Sequence, residues 1–260
     1  MTIADRLDSP RVAVVTGAGT GIGAAIAGAL AAAGIDLLLH YREHGRTVEQ
    51  FAETCRTSGR RVEVVQADFA VDPSLAGELV DTAVARLGRI DILVNNAAVT
   101  SKTAPLESLG RNLFEETLAV NLVAPFLAIQ AAAPHMIAAG RGGRIVNIGS
   151  VHGRVVAPGF AAYEASKAGI ASLTASAAIA LGPHAITVNC VAPGSIVVER
   201  YAEQPWDESW VVSRTPIGRT GTPDDIAAVV AFCVSEAAGF LTGETIYVDG
   251  GMTRRMALVR

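Results

Sequence analysis

The sequence predicts an α/β fold, a single domain built on a doubly wound, seven-stranded parallel sheet with helices on both faces. Three observations predict it. Apolar runs of four to six residues alternate with longer stretches of helical periodicity, a glycine-rich turn follows the first run, and no linker rich in Pro, Gly or Ser interrupts the alternation. Half of the 260 residues are hydrophobic and the formal net charge is -4, so the chain can fill one large core.

The strands are expected at residues 11–15, 35–40, 61–66, 91–95, 143–148, 187–192 and 245–248. Helical patterns lie between them at 22–33, 46–58, 73–87, 114–139, 163–181 and 223–235. Six crossovers joining seven strands make one continuous sheet, preceded by a short irregular stretch of about residues 1–9. The least regular segment, 193–221, carries Pro205, Trp206, Trp210 and Pro216 and follows the sixth strand, where a substrate lid is expected. The stretch 161–181 reads AAYEASKAGIASLTASAAIAL and has no polar face, so it must be covered on all sides. Its outer side meets another subunit or, on the plainer reading, a neighbouring helix of the same chain; the assembly expected is a homotetramer.

Arginines are scattered and the balance is mildly acidic, which argues against nucleic acid and anionic membrane as partners. No apolar run reaches the roughly 18 to 20 residues that span a bilayer, and the start has no leader pattern, so a cytoplasmic location is expected. Cys55, Cys190 and Cys233 are too widely spaced for a disulfide framework or a zinc site and read as small apolar groups; no metal is expected. Lys102 and Lys167 are the only lysines against nineteen arginines, so a retained Lys marks a place where Arg will not do.

The first strand runs into Thr16-Gly17-Ala18-Gly19-Thr20-Gly21-Ile22-Gly23 and then a helix. Glycine there lets the backbone approach a pyrophosphate while the helix N-terminus turns its free N–H groups toward the negative charge. This spacing has the T-G-x-x-x-G-I-G form. Further on come Asp68 after the third strand, Asn95-Asn96-Ala97-Ala98 after the fourth and Asn121 in the next helix. Ser150 follows the fifth strand, Tyr163-Glu164-Ala165-Ser166-Lys167 gives Y-x-x-x-K, Pro193-Gly194 follows the sixth strand, and Thr242-Gly243 to Asp249-Gly250-Gly251 closes the series. In this order and spacing the chain resembles the classical short-chain dehydrogenases/reductases over nearly its whole length. The fold implied is a single-domain Rossmann fold. The resemblance implies cofactor contacts at Gly17, Gly19, Thr20, Gly21, Ile22, Tyr41, Arg42, Asp68, Phe69, Asn95, Ala97, Tyr163, Lys167, Pro193, Gly194 and Ile196, and catalytic roles for Asn121, Ser150, Tyr163 and Lys167.

The residues argue the chemistry independently. Tyr163 and Lys167 stand four apart at the start of a helix and so share a face. A phenol titrates near about 10 and is a poor base at neutral pH, but a neighbouring ammonium and a positive nicotinamide ring favour the phenolate. In the reductive direction Tyr163 would give the substrate oxygen its proton while Ser150 steadied the developing charge. By resemblance, Lys167 would also donate to the nicotinamide ribose, and Asn121 would bend its helix and support a water chain to Lys167. Taken singly, these residues read as a helix surface pair, a cap and a satisfied buried amide; their joint order reverses that. A nucleotide-binding regulator without turnover would have no physical need of all four.

The second strand ends Leu39-His40-Tyr41-Arg42-Glu43. NAD enzymes of this kind place a carboxylate at the strand tip for the ribose 2′-hydroxyl, whereas a neutral tip followed by Arg suits a 2′-phosphate. The acidic position falls on Tyr41 and Arg42 follows, so NADP(H) is preferred, with NAD(H) the alternative if Glu43 serves the ribose. The family's Pro-Gly loop carries a Thr where this chain has Val198; Ser195 or the Val198 backbone would have to replace it. Within the family the pattern resembles the 3-oxoacyl-(acyl-carrier-protein) reductases, judging by Ile186-Thr187-Val188-Asn189, Pro216-Ile217-Gly218-Arg219 and the Gly243 to Gly251 ending. Arg141 and Arg144 would then meet an acidic carrier protein, with His184 at the second basic site. An alcohol or aldose dehydrogenase is the alternative, since Ser150-Val151-His152 suits a polyol. The expected substrate is a small carbonyl compound or alcohol.

Overall fold

The computed structural model describes residues 10–100, 103–198 and 207–254. Residues 1–9, Lys102, and Pro205 and Trp206 of the expected lid lie outside the described residues. The described strands are β1 (Val12–Val15), β2 (Asp36–Tyr41), β3 (Val62–Gln66), β4 (Ile92–Asn95), β5 (Gly143–Ile148), β6 (Ile186–Pro193) and β7 (Thr245–Val248). All pair in parallel in the order β3-β2-β1-β4-β5-β6-β7.

The inner strands are buried end to end, as β-branched runs covered on both faces must be. Side chains alternate between two cores: Ala13, Val15, Leu37, Leu39, Ile92 and Val94 face one, and Val12, Val14, Leu38 and Leu93 the other. Over the first core lie α1 (Gly21–Ala32), α2 (Gly45–Thr57) and α8 (Pro223–Cys233), through residues such as Ile26, Val48 and Ile226. Over the second lie α3 (Leu75–Leu87), α5 (Ala124–Ala139) and α6 (Ala161–Leu181), through Leu79, Ala128 and Ala178. The chain winds one way from β1 to β3 and the other from β4 to β7, so a crevice opens past the carboxyl ends of β1 and β4.

Three expectations need correction. The single helix at 114–139 is α4 (Arg111–Leu118), a π-helical turn at Ala119–Val123, and α5. Apolar periodicity does not register the one-residue slip of a π-turn. The segment after β6 is not wholly irregular: Asp207 caps α7 (Glu208–Arg214), its carboxylate accepting from Trp210 N–H at 3.0 Å. Finally, Arg111–Ala139 contains an 18-residue stretch with a mean hydropathy of 1.6, apolar enough to cross a membrane by length and composition. In this fold Ala124, Ala128, Ala132 and Met136 are its buried face over the sheet.

Candidate active site

At the carboxyl end of β1 the chain must turn sharply into α1. Gly17 and Gly21 take φ of 66° and 54°, a region side chains avoid. A Cβ on Gly17 would lie 2.9 Å from Ala97 Cα, and one on Gly23 only 2.1 Å from Gly17 O. Thr16 and Asn96 lock the turn to β4. Thr16 Oγ1 accepts from the N–H groups of Asn96 and Ala97, and Asn96 Nδ2 donates to the carbonyls of Thr16 and Gly17 at 2.9 and 3.0 Å. No acidic residue occupies the first turn of α1, so its free N–H groups and positive dipole end stand unopposed. The cradle that side chains would fill and the unopposed helix end together fit the pyrophosphate of a dinucleotide. Gly23→Ala should abolish dinucleotide binding and destabilise the fold by about 1–3 kcal/mol, read by urea unfolding and cofactor titration.

Beyond β5, Ser150 caps a short turn, Val151–Gly153, its Oγ accepting from His152 N–H at 3.2 Å. Gly153 allows this turn to lie on α6, because a Cβ there would be 2.7 Å from Lys167 O. Lys167 is buried and its Nζ donates to Ile148 O at 2.8 Å, tying α6 to the end of β5. Burial brings that ammonium down to about 8. Its Nζ stands 5.5 Å from the centre of the Tyr163 ring. Asn121 lies in the π-turn, its Oδ1 accepting from Val99 N–H while Nδ2 donates to Val99 O and to Ser166 Oγ at 3.1 Å. Ser166 in turn donates to the Tyr163 carbonyl at 2.6 Å. Ser150, Tyr163 and Lys167 thus converge where β5 meets α6, with Asn121 reaching the same helical turn through Ser166.

His152 stacks on Phe160 and meets the Tyr163 ring edge-on, centroids 6.0 Å apart, with Nδ1 3.5 Å from a Glu164 carboxylate oxygen. On the far side of the crevice Arg42 and Glu43 pair at 2.8 Å, and both line a recess with Gln66, Ala67 and Asp68. Tyr41, at the tip of β2, packs its ring over Gly45. Pro193 and Gly194 end β6, where Gly194 N–H donates to Val248 O; Ile196 bridges to Gly221. Val198, at the departure from the family pattern, lies against Gly21 at the start of α1.

Some residues point elsewhere than their motif suggests. Asn95 spends its amide on Asn147, which bonds Thr174, so its side chain belongs to a buried chain linking β4, β5 and α6. Phe69 is buried and stacks on His40. Arg141 and Arg144 are the clearest correction. They stand at the amino end of β5, on Asp91 and Glu236, about 20 Å along the strand from Ser150, and His184 lies in the turn that leads into the amino end of β6. Within one protomer these groups do not border the crevice. Thr16 and Asn96 belong to the sequence motifs, which assign them no role, and His40 lies outside them; all three bond to backbone of the turn and its neighbours.

A family model described as enoyl-(acyl carrier protein) reductase matches residues 17–253. A 3-oxoacyl-(acyl-carrier-protein) reductase of Staphylococcus aureus is 38% identical over 242 residues, 92% of this chain and 97% of the relative. An L-rhamnose 1-dehydrogenase (NAD(P)(+)) of Sphingomonas is 36% identical over 245 residues, 93% of this chain and 96% of the relative. Among solved structures, a blue fluorescent protein from a metagenomic library, in complex with NADPH, superposes with a TM-score of 0.86 at 36% identity, covering 93% of this chain and 97% of that one. The chain is therefore an oxidoreductase belonging to the classical short-chain dehydrogenase/reductase family, which binds a nicotinamide cofactor.

Proposed function

We propose that this protein is an NADP(H)-dependent reductase of ketones, of the 3-oxoacyl-reductase type, with Tyr163 as proton donor and acceptor. The observation that carries the reading is the buried Lys167 ammonium 5.5 Å from the Tyr163 ring, bonded to Ile148 O at the end of β5, two residues before Ser150. When bound, the cofactor supplies a hydride to the carbonyl carbon. The turn Gly17–Ile22 would hold its phosphates, Arg42 its 2′-phosphate, and the Asp68, Ala97 and Gly194 backbones its flanks. Ser150 Oγ holds the substrate oxygen, Tyr163 passes it a proton, and Lys167 keeps the phenolate accessible. Asn121 holds the Tyr163 end of α6 through Ser166, and replacing it should disturb Tyr163 more than the cofactor.

The preference for NADP(H) rests on Arg42 following the neutral Tyr41. Glu43, already paired with Arg42, competes for that guanidinium. Arg42→Ala should weaken NADPH by more than about tenfold and NADH by much less, as the loss of a charge-assisted phosphate contact requires. Equal losses for both cofactors would assign the ribose to Glu43 instead.

The carbonyl substrate is a free small molecule or one carried on an acyl-carrier protein. The placement of Arg141, Arg144 and His184 gives no carrier site beside this protomer's crevice. A second reading, an alcohol or aldose dehydrogenase, draws support from His152 and Glu164 beside Tyr163, a pair suited to hydroxyl groups. Assays with NADPH over a ketone panel and NADP over an alcohol panel separate the two. A protein that binds NADPH yet turns over neither panel would be the regulator. The outer faces of α5 and α6 expose Phe126 and Ile179, the latter 82% exposed, which supports self-association, and the assembly proposed is a homotetramer. Light scattering tests the assembly.

A further inference from the structure

We propose that His40 is a positioning residue for dinucleotide binding, holding the glycine turn and the loop after β3 at the separation that the adenosine half of the cofactor needs. The inference rests on reading that turn as the dinucleotide site.

His40 is 2% exposed, near the tip of β2, and is polar where its strand neighbours are leucines. Both ring nitrogens bond across the crevice floor. Nδ1 accepts from Gly17 N–H at 3.1 Å, and Nε2 donates to Ala67 O at 3.1 Å. The accepting role of Nδ1 fixes the tautomer, with the proton on Nε2. Burial lowers the imidazole pKa to about 4, so the ring is neutral at pH 7 and its Nδ1 lone pair stays available. The His40 carbonyl accepts from Ala18 N–H at 2.8 Å, and the ring stacks on Phe69 at 4.3 Å with an interplanar angle of 16°.

One residue therefore touches both walls of the adenosine crevice. Asn96 and Thr16 hold the glycine turn from the β4 side; His40 holds it from the β2 side and carries the loop that leads to Asp68. Packing alone would be served by an apolar ring of similar shape. What such a ring lacks is an acceptor for Gly17 N–H and a donor for Ala67 O, and with both gone the turn and the loop are free to shift relative to each other.

His40→Phe keeps the stack on Phe69 and removes both bonds; His40→Asn restores an acceptor near the Nδ1 position. For His40→Phe the dissociation constants of NADPH and of its fragment 2′,5′-ADP should each rise about tenfold, within the range expected for losing the two hydrogen bonds that hold the turn and the loop. Turnover at saturating NADPH should stay within about threefold of wild type, because the reacting end of the crevice is untouched. His40→Asn should recover most of the affinity. Unchanged affinity for both ligands in folded His40→Phe overturns the inference, as does a fall in turnover at saturation that matches the loss of affinity. If His40→Phe does not fold, His40→Gln takes its place: its longer amide reaches the Nε2 position and leaves Gly17 N–H without an acceptor, so it should bind NADPH about tenfold more weakly than His40→Asn, and equal affinity in the two overturns the inference. Wild-type protein that binds neither NADPH nor NADH would refute the dinucleotide reading itself, an outcome distinct from these.

Discussion

Tyr163→Phe should bind NADPH nearly as wild type does and turn over about a thousandfold more slowly, within the 10²–10⁴-fold range of general acid–base catalysis. The substitution keeps the ring, its edge contact with His152 and its distance from Lys167, and deletes only the hydroxyl. Proton transfer to the substrate oxygen then falls to water. Stopped-flow measurement of nicotinamide absorbance reads the chemical step, and cofactor fluorescence reads binding. Normal turnover in this variant on any substrate accepted by the wild type would remove Tyr163 from the reaction.

Lys167→Met should lower kcat by at least about a hundredfold while leaving the protein folded and no less stable near neutral pH. The ammonium is buried and donates to Ile148 O, and burial brings its pKa to about 8 rather than the ordinary 10.5. The sign follows from proton binding. Between pH 8 and 10.5 the unfolded chain holds this proton and the folded chain has released it, so the unfolded state binds more protons and stability rises with pH through that window. Below pH 8 both states are charged and folding bears the full desolvation of the ammonium. The difference in unfolding free energy between wild type and Lys167→Met should therefore move in favour of wild type as pH increases from 8 to 10.5. Urea titrations at several pH values check it, and a pH-independent difference would mean that Lys167 is solvated.

The sheet was legible because each strand is an apolar run bounded by turn residues, and all seven are found within one residue of where the pattern puts them. Tyr163, Lys167 and Ser150 were legible because a four-residue helical spacing and a strand end fix their placement locally. What could not be read are contacts made between segments far apart in the chain. His40 looks like one polar residue in a strand, and its bond to Gly17 exists only once β1 and β2 lie side by side. Asn95 and Asn96 are adjacent and chemically identical, yet strand alternation sends one toward Asn147 and the other to the glycine turn. Arg141 and Arg144 sit close to Ser150 in sequence, and a full strand separates them from it in space.

The strand order has a consequence for biosynthesis. β1 is made first, but one of its two neighbours, β4, begins only at Ile92, so a ribosome releases β1, β2 and β3 with one side of β1 still unpaired. Asn96 and Ala97, which clamp the opening turn, emerge later still. A nascent chain halted before Asn96 would thus retain no affinity for nucleotide, and capture on an immobilised dinucleotide would begin only once β4 has left the exit tunnel.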